Sequence, residues 1–332
     1  MGFKVLAPNA FGGRAASFEY ELEALRPIGA EIVVVQCNTP EEYHAALQDA
    51  DAVMVGRLAV DPEAIAHMSR VKVVSTGGIG LDKIDVDACT AAGIAVVNVP
   101  DVFIEEVADQ AFALFLAVNR RLVEYHHLVQ NRQWGKANLP PRSIPKIAGS
   151  TMGLVAFGNI GRAMARRALG FGMRVIAADP YVAPAVMRDA GVEPVELDEV
   201  FRQADVVSCH APLLKSTHHL ITAHHFNLMK PTAIFVNTSR GPVVKEADLI
   251  AALDAGRILG AGLDVTEVEP LPDDSPLLGR PNVIITPHMA SRSDTADIER
   301  RRRAGQNIAA VLSGKMPRNL VNKEVAARLG LQ

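Results

Sequence analysis

Along the first hundred residues, short apolar runs recur at intervals, separated by amphipathic or Ala-rich stretches. The runs 4–7, 31–35, 52–55, 71–75 and 95–97 have strand length, and the residues between them place apolar side chains at helical spacing. Such alternation predicts a parallel, doubly wound α/β sheet. The pattern restarts after residue 150, with runs at 154–157, 174–178, 206–210, 233–237, 260–263 and 283–286. Between the two sets, 105–133 predicts one long helix, richer in apolar residues in its first half than one sheet face needs. It reads as a crossover and as part of a dimer surface. Residues 138–148 are Pro-rich and suit a surface connection or arm. A helical stretch at 295–313 and an extended tail, MPRNLVN, follow the last run. If the first unit lacks a cover on one side, that helix returns to it. The expected domains are then 1–99 completed by 291–332, and 100–290.

The second set begins with TMGLVAFGNIGRAMARRALGFGMRVIAAD, residues 151–179. A strand, a turn with Gly158 and Gly161, a helix and a second strand ending in an acid form the sequence pattern of a dinucleotide-binding βαβ unit. Gly158, Asn159, Ile160 and Gly161 open the helix, whose unpaired N–H groups suit a pyrophosphate. Asp179 stands eighteen positions beyond Gly161, near the spacing at which a carboxylate accepts hydrogen bonds from the adenosine ribose. Ala156 replaces the first glycine of the usual fingerprint, so the turn there has to carry a Cβ. Pro180 and Tyr181 provide no Arg for a 2′-phosphate, which favours NAD over NADP.

Composition narrows the function classes. A net charge of −3 argues against a nucleic-acid partner. Cys37, Cys89 and Cys209 are widely spaced and read as buried thiols of a reducing compartment. The N-terminal apolar run is too short for a signal peptide, and the run 111–118 is too short to span a bilayer, so a cytoplasmic protein with no membrane partner is expected. The paired histidines at 218–219 and 224–225 have no nearby Cys or ordered carboxylates, and no metal is expected. The arginines at 300–303 wind fully around a helix, so some must meet acids or a partner.

In doubly wound sheets, ligands bind outside the carboxyl ends of the strands. Three residues stand just beyond such ends. Arg240, in NTSRGPVV, has the planar fork that clamps a carboxylate. Glu269, in GLDVTEVEP, is a second charged group, and His288, in ITPHMA, is a proton carrier. A cation, an acid and an imidazole gathered at one crevice suit proton transfer on an anionic substrate.

These motifs, in order, resemble the D-isomer-specific 2-hydroxyacid dehydrogenases: the fingerprint at 153–179, NTSRGPVV at 237–244, GLDVTEVEP at 262–270 and TPH at 286–288. STGGIGLDKIDVDACTAAGIAVVNVP at 75–100 and EEVADQAFALFLAVNRR at 105–121 extend the resemblance over nearly the whole chain. The spacing around DVTEVEPLP is similar to that of glyoxylate/hydroxypyruvate reductases. The resemblance implies a Rossmann NAD-binding domain and a smaller flavodoxin-like substrate domain with a cleft between them. It implies NAD as cofactor and a small 2-oxo or 2-hydroxy acid as substrate; the apolar helix at 105–133 adds the expectation of a homodimer. Arg240 would bind the substrate carboxylate, Glu269 would fix the tautomer of His288, and His288 would exchange the proton. Main-chain N–H groups of Gly78, Ile79 and Gly80 would complete the carboxylate site. Asp264 would contact the cofactor carboxamide, and Pro212 and Thr238 would line the cofactor.

Arg57 and Arg292 are expected either to meet a second acidic group of the substrate or to face solvent. The C-terminal NLVN also resembles the C-terminal-binding protein branch, so an NAD(H)-sensing dimeric binding protein is the competing function. Ser291 stands where that co-repressor pattern has Trp.

Overall fold

The structure, a computed structural model, describes residues 2–9, 17–56, 58–138 and 144–332. The chain divides into two units, Met1–Val102 with Ser293–Gln332, and Phe103–Arg292. Among the described residues no helix is long and apolar enough to cross a membrane.

The first unit is built on five parallel strands: β1 (Phe3–Pro8), β2 (Ala30–Val35), β3 (Ala52–Val55), β4 (Val73–Thr76) and β5 (Ala95–Val97). Their order is β2-β1-β3-β4-β5, the flavodoxin-like arrangement, with its topological switch between β1 and β3. Because consecutive strand residues point to opposite faces, the apolar runs feed two layers. Leu6, Val53, Val74 and Val96 lie in one core, and Val5, Ala52, Val73 and Ala95 in the other. The second core is closed by the helix Asp294–Leu312, through Ile308, Ala309, Val311 and Leu312. Asn322 then pins the tail to β5: it accepts from the Val96 N–H at 2.8 Å and donates to the Ile94 carbonyl at 2.9 Å.

The arginine run is absorbed by acids of this unit. Arg301 pairs with buried Glu21, Arg302 with Glu23, Arg300 with Asp297, and Arg303 with Asp101 and Glu299. The exposed pairs contribute little to stability. Arg301–Glu21 ties the helix to Glu19–Leu25 where Gly305 meets the Glu21 backbone.

The second unit carries seven parallel strands: β6 (Thr151–Val155), β7 (Arg174–Ala178), β8 (Glu193–Pro194), β9 (Val206–Cys209), β10 (Ile234–Asn237), β11 (Gly260–Leu263) and β12 (Val283–Ile285). The order β12-β11-β10-β9-β6-β7-β8 is the Rossmann order with one added edge strand, and the switch lies between β6 and β9. One face packs Met152, Leu154, Val206, Ile234 and Val236 under the helices Ile104–Asn119 and Asn159–Gly170. The other packs Val155, Val207, Cys209, Phe235 and Leu263.

Three sequence expectations change. The strand placed at 154–157 runs instead from Thr151 to Val155, because Ala156 turns into the left-handed region at φ +72°. β8 was not foreseen: two residues, one of them Pro194, carry no periodicity. The single helix placed at 105–133 breaks between Ile104–Asn119 and Leu122–Gln130, with Arg121 left-handed at φ +53° and paired to Glu124. Its first half carries more apolar residues than one sheet face needs because it packs on both the sheet and the helix Asn159–Gly170. Its second half buries no residue at all.

Candidate active site

At the end of β6 the chain makes the turn that a dinucleotide site requires. Ala156 occupies the left-handed position where a glycine is strain-free, at a cost of about 1–2 kcal/mol. Gly161 cannot be replaced without displacement, since a Cβ there would stand 2.5 Å from the Ala156 carbonyl oxygen. Gly158, the N-cap of Asn159–Gly170, fronts open space, with no heavy atom within 4 Å of an added Cβ. Open space, glycine backbone and free helix N–H groups fit a pyrophosphate. At the end of β7, Asp179 accepts the Phe157 N–H and the Tyr181 N–H, each at 2.8 Å, one on each carboxylate oxygen. Its remaining lone pairs suit ribose hydroxyls.

β9 to β12 end around a second group of residues. Asn237, the last residue of β10, is 1% exposed. It accepts from the Ser239 N–H and hydroxyl at 3.0 and 2.8 Å, and donates to the Arg240 carbonyl at 3.1 Å. This buried amide folds the turn that presents Arg240. The Arg240 guanidinium donates to the Ser239 carbonyl at 2.8 Å and stands close enough to Glu269 to favour its charged form.

After β11, Asp264 is 1% exposed and governs the next loop. Its carboxylate accepts the Thr286 hydroxyl, the Met289 N–H at 3.0 Å and the Ala290 N–H at 2.8 Å, while its carbonyl accepts the His288 N–H at 2.8 Å. The geometry makes Asp264 the anchor of the His288 loop, and leaves one acceptor position for the carboxamide that the resemblance assigns to it. His288 itself is left-handed at φ +50°, a region histidine tolerates better than branched residues.

His288 Nδ1 lies 2.7 Å from Glu269 Oε2, and Glu269 Oε1 accepts the Thr266 N–H at 3.2 Å. Burial pushes the Glu269 carboxyl upward. The His288 hydrogen bond and charge, the Thr266 N–H and Arg240 outweigh it and hold the group below the ordinary carboxylate range. Arg240, Glu269 and His288 therefore form a cation, an anion and an imidazole at adjoining strand ends. The pair is half exposed, at 46% for the His288 side chain and 38% for Glu269.

Other expected residues are placed as follows. Pro212 is exposed after β9 and its carbonyl accepts the Thr217 hydroxyl at 2.6 Å. Thr238 is buried, with its hydroxyl unpartnered. Arg292 is exposed on the loop after His288. In the first unit, Gly78, Ile79 and Gly80 form the loop after β4. The Gly78 carbonyl accepts the Val99 N–H at 2.9 Å, the Ile79 carbonyl accepts Asn98, and the space beside Gly78 is open. Arg57 lies outside the described residues. Among the described residues no group of three or more His, Cys, Asp or Glu is arranged to hold a metal ion.

Two features escaped the sequence reading. His210 follows β9 beside Thr238; burial pulls its imidazole down to about 4, so it is neutral at physiological pH, with Nε2 at 3.0 Å from the Ser208 hydroxyl. Glu267, two residues before Glu269, makes its own carboxylate–imidazole pair with His219. Its signals in the sequence are the histidine pair at 218–219, where no nearby carboxylate is expected, and the repeated Glu of TEVE.

Comparison with known proteins places the chain in a family. The family model for the NAD binding domain of the D-isomer specific 2-hydroxyacid dehydrogenases matches residues 112–290. The chain is 42% identical to the glyoxylate reductase of Korarchaeum cryptofilum over 282 residues, covering 84% of this chain and 85% of that one. The solved NADPH-dependent glyoxylate/hydroxypyruvate reductase of Sinorhizobium meliloti, in complex with NADP and malonate, is similar at a TM-score of 0.86 and 28% identity, over 98% of each chain. D-Lactate dehydrogenase from Aquifex aeolicus, complexed with NAD and lactic acid, reaches a TM-score of 0.83 at 28% identity, over 96% of this chain and 99% of that one. The chain belongs to the D-isomer-specific 2-hydroxyacid dehydrogenase family.

Proposed function

We propose that Arg240, Glu269 and His288 are the catalytic group of an NAD-dependent D-2-hydroxyacid dehydrogenase that reduces a small 2-oxo acid. The observation that carries this reading is the 2.7 Å His288–Glu269 pair beside Arg240, on loops after neighbouring strands of a Rossmann sheet. When bound, the nicotinamide supplies or takes up the hydride at C2 of the acid. Arg240 grips the substrate carboxylate and orients the carbonyl. Glu269 commits His288 Nδ1, which leaves Nε2 to give its proton to the carbonyl oxygen, or to take one from the hydroxyl in reverse. Gly158, Asn159, Ile160, Gly161 and Asp179 hold the adenosine half of the cofactor, and Pro212, Thr238 and Asp264 the nicotinamide half. Asp179 also disfavours a 2′-phosphate by like charge, which supports NAD over NADP.

The main-chain N–H groups of Gly78, Ile79 and Gly80 complete the carboxylate site in this reading. Its support is their loop's position at the carboxyl end of β4. The names of the relatives favour glyoxylate or hydroxypyruvate as substrate and do not favour the binding-protein alternative. The test is NADH consumption over a panel of glyoxylate, hydroxypyruvate, pyruvate, and phosphorylated and dicarboxylic 2-oxo acids. A flat response would defeat the reading. Arg292→Ala, run on the same panel, assigns a second acidic group only if the preference changes.

A homodimer is part of the proposal. The helix Leu122–Gln130 buries none of its residues; Leu122 is 63% exposed, and Trp134 beyond the helix is 77% exposed. Leu122→Glu should shift the size-exclusion mass towards the monomer, and an unchanged mass would remove this surface from the interface.

A further inference from the structure

The loop carrying Glu269 is held from behind by a second carboxylate–imidazole pair. The turn Gly241–Val243, directly after Arg240, meets this loop backbone to backbone: a Cβ on Gly241 would lie 1.8 Å from the Thr266 carbonyl oxygen. The segment 219–221 runs along the same turn. The His219 N–H donates to the Pro242 carbonyl at 2.8 Å, and the Ile221 N–H to the Val243 carbonyl at 3.0 Å. Main-chain bonds thus fix His219 against the Arg240 turn, in a left-handed conformation at φ +51°.

From there its side chain crosses to the neighbouring loop, where Nε2 lies 2.5 Å from Glu267 Oε1. An ionised carboxylate only accepts, so Nε2 is the donor. Glu267 Oε2 accepts the Glu246 N–H at 2.9 Å, capping the helix Glu246–Asp254, and the Glu267 N–H returns to Glu246 Oε2 at 2.9 Å. Burial raises the Glu267 carboxyl, but the Glu246 N–H, His219 and the charge of His218 outweigh it and keep the group below its ordinary range.

We infer that His219 is a positioning residue for the proton-transferring pair. Through Glu267 it locks the loop 264–270 to the Arg240 turn, so that Glu269 meets His288 in register with the substrate clamp. This inference rests on the proposed role of His288 and extends it to a residue that touches neither substrate nor cofactor.

The test compares His219→Phe, which keeps the bulk and removes the donor, with His219→Gln, whose amide nitrogen replaces Nε2. A mutation away from the chemistry that misplaces a reacting group by about 1 Å can cost about 100-fold. For His219→Phe, which acts through a loop, kcat for 2-oxo acid reduction should fall about tenfold, below that bound. NADH affinity should not change. As Glu269 drifts from His288 it loses the bond that lowers its carboxyl, so the acid limb of kcat/KM should move to higher pH. His219→Gln should restore both kcat and the pH profile.

A His219→Phe protein with lowered melting temperature but wild-type kcat and pH profile would make the pair merely structural and overturn the inference. So would a Gln variant as impaired as Phe. Full activity in His288→Asn would instead defeat the underlying reading, and so the two failures are distinguishable.

Discussion

Two carboxylate–imidazole pairs hang from one loop, two residues apart, and they are built for different work. Glu267 spends both oxygens on the fold, one on His219 and one on the N–H that opens a helix. Glu269 spends one oxygen on the Thr266 N–H and the other on His288, whose ring stands more exposed than that of His219. The Arg240 charge also favours the ionised form of Glu269. By residue type and pairing distance alone, the pair proposed to transfer protons and the pair proposed to position it would look the same. What separates them is what else the carboxylate holds and which way the second ring nitrogen is left.

Mutation should separate the pairs by magnitude. The largest effect is expected for His288→Asn, a loss in kcat of roughly 10²–10⁴-fold, the usual range for a removed acid–base group. Its counterpart His219→Phe should lose about tenfold. Steady-state kinetics on both proteins checks the contrast, and equal losses would erase it. Next comes Arg240→Ala, expected to lower kcat/KM by about 100-fold through misalignment of the acid, with NADH affinity kept. A smaller effect is a titration. With His288 replaced by Asn, Glu269 loses the hydrogen bond and charge that do most to lower its carboxyl, which should titrate at higher pH than in wild type, read by carboxyl-carbon NMR. The sign follows from a group now held low by His288: its protonation, and the loss of the stability tied to its charge, belongs at lower pH in wild type. An unmoved titration would mean that the 2.7 Å contact is not an ion pair in solution. Smallest is Ala156→Gly at the cofactor turn, which should stabilise the protein by about 1 kcal/mol, seen as a raised Tm, by removing left-handed strain.

Much of this site was legible in the sequence because the chemistry sits immediately after apolar runs. Arg240, Glu269 and His288 each follow a strand, and a parallel sheet brings such ends to one side. The fold class was legible for the same reason: Val5 and Leu6, or Val73 and Val74, feed opposite cores, as continuous apolar runs in buried strands must.

What was not legible depends on backbone states and partners that no spacing records. Arg121 breaks a helix in a left-handed conformation that arginine does not advertise, and Ala156 turns the chain where glycine would. Asp264 anchors the His288 loop across 25 and 26 residues of sequence, through contacts set by β11 lying beside β12. The arginines at 300–303 are expected to meet acids or a partner, but spacing does not say which acids: Glu21, Glu23 and Asp101, far away in sequence, take three of them, while Asp297 and Glu299 come from their own helix.

A single-turnover reaction with NADH bound before glyoxylate is added separates proton delivery from binding in one trace. The His288→Asn protein should bind NADH as wild type does and then oxidise it about 10²–10⁴-fold more slowly. Oxidation at the wild-type rate would mean that the proton comes from elsewhere and would contradict the role given to the His288–Glu269 pair.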